Sequence, residues 1–324
     1  MKQQNLENIL DRLIKTTSTE NPLKCSFDNN TRYYQDFRIL CSNLCEKTSE
    51  RQISELLERK FLLGKPKYHE ETFLQSASEL SVIGYVLEKY GITFEYEPQY
   101  NGRRNPECSF KDYDTTVNVE VKCPVIARDN NLIELVGRVP LKDGASFAQL
   151  YSDNSALKKN NDNKIKDYLQ SAQLKFPVSD DTNFNILVIC VSEYSDMDAW
   201  YGYLFNDTFS SKHENVSGVF TADSFVPTEE FSSVDAVVLS NVTKAHSSGN
   251  TELNLWDMSD SFSLCFLKLS IKPESKTCRY WEEHMLNFLY AKTSEFFDYQ
   301  RALDSGFHAI KETYHSGDIV MQLN

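Results

Sequence analysis

The sequence predicts an α/β fold in which a central mixed sheet is flanked by helices and preceded by a helical extension. Three observations predict it. Residues 70–90 repeat apolar side chains at helical spacing up to Gly91. Residues 116–123 alternate apolar and polar side chains, as a strand with one buried face does. Residues 184–191 form an almost continuous apolar run, which is typical of a central strand covered on both faces.

The remaining elements follow from the same two periodicities. Helices are predicted where apolar residues recur every three or four positions, at 5–15, 34–45, 51–63, 164–175 and 279–302. Further strands are predicted at 92–97, 107–111, 200–205, 234–239 and 262–271. We therefore expect three parts: a helical N-terminal extension (1–66), a domain over 67–272 whose core is 70–191, and a C-terminal helical segment (273–324).

Composition excludes several classes of protein. The 324 residues include only 9 Pro and 11 Gly and are 40% hydrophobic, which excludes collagen-like, coiled-coil and wholly disordered chains. No apolar run approaches the roughly 18 residues of a membrane-spanning helix, so we expect no membrane segment and a cytoplasmic protein. The eight cysteines are sparse and predict free thiols. The six histidines show no metal-binding spacing.

The negative charge is unevenly distributed. The chain has a formal net charge of −13, but residues 101–175 carry 12 Lys and Arg against 10 Asp and Glu. Residues 176–324 carry 9 basic against 22 acidic side chains. One local basic surface is therefore compatible with a nucleic-acid partner. The acidic side chains of the C-terminal third either serve only to keep the protein soluble or bind a basic protein partner.

Two short motifs with acidic residues lie in neighbouring predicted strands. Pro106-Glu107 begins the second predicted strand and Glu120-Val121-Lys122 lies in the third, within a helix-strand-strand-strand-helix-strand series. On these residues the chain resembles the PD-(D/E)xK nuclease superfamily, over about residues 70–191. The resemblance implies a restriction-endonuclease-like α-β-β-β-α-β core and metal-dependent hydrolysis of nucleic-acid phosphodiesters. One departure is Glu107, where the family usually has Asp.

The residues themselves also indicate a metal. Side chains alternate along a strand, so Glu120 and Lys122 project from the same face. A two-residue turn at Tyr113-Asp114 would place Glu107 opposite Glu120. Two facing carboxylates are destabilising unless a positive charge lies between them. Mg²⁺, or Mn²⁺, prefers such oxygen ligands and would activate a water for attack on a phosphodiester.

The resemblance extends these roles to further groups. It implies that Glu107, Glu120 and Lys122 are catalytic, and that Glu107, Glu120 and the backbone carbonyl of Val121 bind the metal. It also implies a catalytic, metal-binding glutamate in the first core helix, where Glu79 lies beside the apolar stripe. The alternative remains that the Glu-Val-Lys triplet is an ordinary solvated strand face.

Basic and amide side chains flank the predicted site. We expect nucleic-acid contacts from six residues: Arg103, Arg104, Lys164, Lys166, Gln170 and Gln173. An ordinary solvated helix face explains the last three equally well. The irregular stretch over 126–163 is predicted to be a loop that binds substrate.

The sequence thus predicts a Mg²⁺-dependent DNA endonuclease of restriction or anti-phage defence type, acting on double-stranded DNA. Two alternatives stay open: a catalytically inactive nuclease-fold protein that binds nucleic acid or protein, and an RNase. The N-terminal helices are candidates for forming a homodimer, which would suit cleavage of both strands.

Overall fold

A computed structural model describes most of the predicted core. It covers residues 2–100, 105–124, 161–178, 180–191, 231–247 and, in shorter pieces, 254–259, 261, 263–267 and 288–289. The helices are α1 (Lys2–Lys15), α2 (Pro22–Asp28), α3 (Arg32–Cys45), α4 (Glu50–Glu55), a π-helical segment (Leu56–Lys60), α5 (Glu70–Tyr90), α6 (Asn161–Lys175) and α7 (Val242–Ser247). The strands are β1 (Glu95–Tyr96), β2 (Cys108–Asp112), β3 (Thr115–Lys122), β4 (Asn183–Cys190), β5 (Ala236–Ser240) and β6 (Ser263–Leu267).

The strands form one mixed sheet, and the α/β prediction is confirmed. Among the described residues the order is β1-β2-β3-β4-β5-β6. The pairs β1–β2, β2–β3 and β5–β6 are antiparallel, whereas β3, β4 and β5 run parallel. The predicted hairpin is also confirmed, because Asp112 pairs with Thr115 and leaves Tyr113 and Asp114 as the turn. The predicted central strand is β4, which lies between β3 and β5 and is buried on both faces.

The two faces of the sheet are covered by different helices. Val117, Val119 and Val121 of β3 belong to the same core as α5 and the N-terminal helices. Because side chains alternate, Glu120 and Lys122 point to the opposite face, where Lys175 at the end of α6 contacts Glu120. The buried side of α6 consists of Ile165, Leu169 and Ala172, and Phe176 directly after the helix is also buried. The sheet therefore presents Glu120 and Lys122 towards α6.

The N-terminal helices share the core of the sheet domain. Leu10, Phe37 and Phe61 belong to one buried cluster together with Phe73 of α5 and Val119 of β3. The core thus continues across the predicted boundary at residue 66. The predicted helices at 5–15 and 34–45 correspond to α1 and α3, and the one at 51–63 to α4 with the π-helical segment.

Local signals explain where several helices begin. Asn21 caps α2 by accepting from the Leu23 backbone, and Pro22 occupies the first helical position. Ser49 and Gln52 form a reciprocal capping box at α4. Further on, α5 needs Gly84, because a Cβ there would lie 2.1 Å from the carbonyl oxygen of Trp256. This close approach fixes the 254–259 turn against the middle of α5.

A second buried group also joins the N-terminal helices to the sheet domain, and we call it the histidine network. Its central side chain is His246 of α7, whose Nδ1 lies 2.7 Å from the Tyr33 hydroxyl and whose Nε2 lies 2.8 Å from the Ser81 hydroxyl. A second contact in the network joins the Ser78 and Thr243 hydroxyls at 2.8 Å. These bonds tie α3, α5 and α7 together.

Some predicted elements differ or lie outside the described residues. The strand predicted at 92–97 was too long, because the ladder contains only Glu95 and Tyr96. The sequence did not predict α2 or α7. The strand predicted at 200–205 is outside the described residues, as is the helix at 279–302 apart from Phe288 and Leu289. Within the part of the chain that is described, no helix has the length and apolarity to cross a membrane.

Candidate active site at the end of strand β3

The site lies where β3 ends and β2 begins. These two ends are adjacent because the strands are antiparallel, and the Glu107 backbone N–H donates to the Val119 carbonyl at 3.0 Å. Glu107 precedes β2 by one residue, and Glu120 lies near the end of β3. The Glu120 side chain is fully buried, with 0% exposed, whereas Glu107 keeps 14% exposed. Two carboxylates are therefore buried at one edge of the sheet.

An ammonium group lies between these two carboxylates. The Lys175 Nζ is 2.7 Å from Glu120 Oε1, 2.9 Å from Glu120 Oε2 and 3.2 Å from Glu107 Oε1. Lys122 also contacts Glu120, with its Nζ 2.7 Å from Oε1. The positive charge that two facing carboxylates require is thus supplied by a lysine of α6.

A third carboxylate reaches the site from α5. Glu79 shares a hydrogen bond with Glu107 and forms an ion pair with Lys60, whose Nζ also lies 3.9 Å from Glu107 Oε2. Lys60 is the last residue of the π-helical segment. We call these six side chains the charged cluster: Lys60, Glu79, Glu107, Glu120, Lys122 and Lys175.

The carboxylates of the charged cluster differ in their affinity for a proton. Burial and the neighbouring Glu107 raise the pKa of Glu79 to about 8, against the opposing effect of Lys60. Burial also favours the protonated form of Glu107, but Lys60, the hydrogen bond from Glu79 and Lys175 outweigh it, so the pKa of Glu107 is lowered. At neutral pH the shared proton therefore lies on Glu79, which donates to the Glu107 carboxylate.

Burial and Glu107 raise the pKa of Glu120, against Lys122 and Lys175. For Lys60 and Lys175, burial favours the neutral amine, but the adjacent carboxylates dominate and raise both pKa values. The ammonium groups thus stay charged, and the cluster is held by alternating opposite charges.

The backbone of β3 adds an oxygen at the same edge. The Val119 carbonyl accepts from Glu107, so it points towards β2. Carbonyl directions alternate along a strand, so the carbonyl of Val121 points to the same side, beyond the start of β2. The predicted metal-binding carbonyl and the Glu107 carboxylate therefore lie on the same side of β3.

The donor chemistry of this edge fits a hard divalent cation. Glu79, Glu107, Glu120 and the Val121 carbonyl offer only oxygen ligands, which Mg²⁺ and Mn²⁺ prefer. In the structure, however, these carboxylates are paired with Lys60, Lys122 and Lys175. No group of three or more His, Cys, Asp or Glu side chains is spaced to hold a metal in the described ranges. The ammonium of Lys175 occupies the space between Glu107 and Glu120.

The six residues predicted to contact nucleic acid have different positions. Arg103 and Arg104 lie outside the described residues, and Lys164 and Lys166 lie in α6 without described side chains. Gln170 is exposed. Gln173 binds the segment before β5, because its Oε1 accepts from the Ser233 backbone at 2.8 Å and its Nε2 donates to the Ser232 hydroxyl at 3.4 Å.

Sequence reasoning missed two members of the charged cluster. Lys60 lies in the predicted N-terminal extension, and no motif links it to the core. Lys175 ends the predicted helix over 164–175, but its role depends on which face of the sheet that helix covers. A lysine at the carboxyl end of a helix is ordinarily explained by the helix dipole, so its position alone gave no functional signal.

Comparison of the chain with protein-family models, with curated proteins and with solved structures found no match.

Proposed function

We propose that the protein is a metal-dependent nuclease, specifically a Mg²⁺-dependent DNA endonuclease of restriction or anti-phage defence type with a restriction-endonuclease-like core. One observation carries the proposal. Glu79, Glu107, Glu120 and Lys122, which were selected from the sequence, converge at one edge of the sheet. The series α5, β1, β2, β3, α6 and β4 also supports it, because this is the helix-strand-strand-strand-helix-strand order of the family that the chain resembles.

Each residue of the site has a defined task in this proposal. Glu79, Glu107, Glu120 and the Val121 carbonyl would hold Mg²⁺, which supplies an acidified water and neutralises charge on the phosphate. Hydrolysis adds this water oxygen to phosphorus and breaks the bond to the leaving oxygen. The water loses one proton, and the leaving oxygen gains one. Lys122 orients the water and stabilises the negative charge that develops on the phosphoryl oxygens.

The charge distribution supports nucleic acid as the substrate. The site combines residues of the basic region 101–175 with Lys60 from the N-terminal helices, so it carries three ammonium groups although the whole chain is acidic. Three ammonium groups next to a metal site suit a polyanionic substrate. Arg103 and Arg104 stay our candidates for contacts with the flanking phosphates.

The test is a cleavage assay with single- and double-stranded DNA and with RNA, in Mg²⁺, Mn²⁺ or chelator. We expect wild-type cleavage of double-stranded DNA that needs the metal, and a loss of roughly 10²–10³-fold in Lys122→Ala. Lys111→Ala is the matched control, because Lys111 is exposed on the same hairpin. Equal cleavage by both variants would contradict the role of Lys122, and cleavage of RNA alone would make the protein an RNase.

A non-catalytic role is the second candidate, and one observation favours it. The carboxylates of the charged cluster are already paired with three ammonium groups, and a fixed network of this kind needs no metal. On this alternative the nuclease-like fold is retained for binding nucleic acid or protein. A folded wild type that neither cleaves any of the substrates nor binds Mn²⁺ would establish it over the nuclease.

A further inference from the structure

Lys175 differs from the other lysines of the charged cluster in the way it is shared. Its ammonium contacts Glu107 and Glu120 together, within 3.2 Å of each. Lys122 contacts Glu120, and Lys60 pairs with Glu79 and lies farther from Glu107, at 3.9 Å. Lys175 therefore occupies the position between the two carboxylates that were selected as metal ligands.

The cluster keeps its other charge pairs if Lys175 leaves. Glu120 would retain Lys122, and Glu107 would retain Lys60 and the hydrogen bond from Glu79. A buried carboxylate that loses its last partner is strongly destabilised, but neither carboxylate would be left without one. The backbone of Lys175 is also held in place, because Leu169 and Ala172 of α6 and the following Phe176 are buried. Its ammonium can move while the helix stays in place.

We propose that Lys175 holds the place of the divalent cation and that, when the cation binds, its ammonium group moves into contact with the substrate phosphate. This inference rests on the proposed nuclease function and adds a phosphate-binding residue to it. A divalent cation and an ammonium group cannot occupy the same carboxylate oxygens, so cation binding displaces Lys175. The Lys175 side chain is only 16% exposed, so the displaced ammonium stays close to the site. Rotation about the bonds of its flexible four-carbon stem is enough for this movement.

The charges of the site indicate where the displaced ammonium binds. Cation binding also displaces the proton that Glu79 holds at neutral pH, and three ionised carboxylates then balance the three ammonium groups. A divalent cation makes this site doubly positive, and the two negative charges of the phosphorane transition state restore neutrality. The displaced ammonium is then attracted to the phosphoryl oxygens, because the carboxylates that held it are bound to the cation.

The first experiment measures Mn²⁺ binding by calorimetry on the full chain, without nucleic acid. Lys175→Met keeps an unbranched side chain that is only one atom shorter and removes its charge. We expect the variant to bind Mn²⁺ roughly tenfold more tightly than the wild type, because its competitor is absent. It should bind a non-cleavable phosphorothioate duplex several-fold more weakly in the presence of Mn²⁺. Lys67→Met, a change at an exposed lysine outside the cluster, should alter neither affinity.

Unchanged or weaker Mn²⁺ binding by a folded Lys175→Met would overturn the exchange. If the wild type binds Mn²⁺ and cleaves nucleic acid, only this inference fails; if it does neither, the proposed function fails as well. If Lys175→Met does not fold, the exchange can be tested on the wild type instead. Acetylation of lysines, followed by mass spectrometry, should label Lys175 several-fold faster in saturating Mg²⁺ and leave Lys67 unchanged. Equal labelling of Lys175 with and without Mg²⁺ would contradict the exchange.

Discussion

The histidine network and the charged cluster are both buried, and both connect the N-terminal helices to the sheet domain. They differ in how their buried polar groups are stabilised. In the histidine network each ring nitrogen of His246 has one hydroxyl partner, at 2.7 and 2.8 Å. Burial lowers the pKa of His246 to about 3, so the ring is neutral. In the charged cluster, one ammonium group serves two carboxylates. Neutral groups with matched partners fix a structure, whereas shared charges allow partners to be exchanged.

We expect the largest effect when the neutral histidine network is disrupted. His246→Ala leaves the Tyr33 and Ser81 hydroxyls without their ring partner and opens a cavity in the core. We expect the free energy of unfolding to fall by about 3 kcal/mol or more, measured by urea denaturation. His69→Ala is the matched control, because His69 is exposed and its side chain does not cap α5. A loss below about 1 kcal/mol would show that the network is dispensable.

A smaller effect is expected at the charged cluster, and it depends on pH. The pKa of Glu79 is raised from 4.5 to about 8 in the folded protein. Between these values the folded state holds a proton that the unfolded chain has lost, so stability falls as pH rises. Glu79→Gln removes this titration. We therefore expect the variant to gain about 2 kcal/mol over the wild type between pH 5 and pH 9, measured by denaturation at each pH.

One result would contradict this role of Glu79. If the stability difference between Glu79→Gln and the wild type is the same at pH 5 and pH 9, Glu79 does not hold the shared proton. Metal binding supplies the companion measurement, since a cation must displace that proton. We expect Mn²⁺ affinity of the wild type to rise with pH up to about 8.

The smallest expected effect is at His246 and has the opposite pH dependence. The folded pKa of His246, about 3, lies below its ordinary value of 6.5. As pH falls through 6.5 the unfolded chain takes up the proton first, so folding is weakened. We expect the stability advantage of the wild type over His246→Ala to shrink by about 1 kcal/mol between pH 6.5 and pH 5.5. A constant difference over that range would mean that the buried ring accepts a proton in the folded state.

Much of the fold could be predicted because it depends on short-range patterns. The alternation in β3, the apolar run of β4 and the turn at Tyr113-Asp114 are local features, and the sheet contains all three. Glu79 could be selected for the same reason, since it lies beside the apolar stripe of α5.

The two missed lysines depend on long-range geometry. Lys175 acts through the face of the sheet that α6 covers, which no local pattern states. Lys60 is the last residue of the π-helical segment, whose wider turn gives its side chains directions that an α-helical pattern does not predict. Gly84 shows a similar limit, since its need for a small side chain comes from the carbonyl oxygen of Trp256, far away in the chain.

The π-helical segment has a consequence for how such a site can arise. Its backbone bonds span more residues than an α-helix uses, as in the bond from the Phe61 N–H to the Leu56 carbonyl at 3.0 Å. In a regular α-helix one added residue would turn everything after it by about 100°. The wide turn takes up the extra residue locally, so the residues that follow keep nearly the directions that they would have in an uninterrupted α-helix. A helix of this kind can therefore gain or lose one codon within 56–60 while the side chains after it keep their places against the sheet domain.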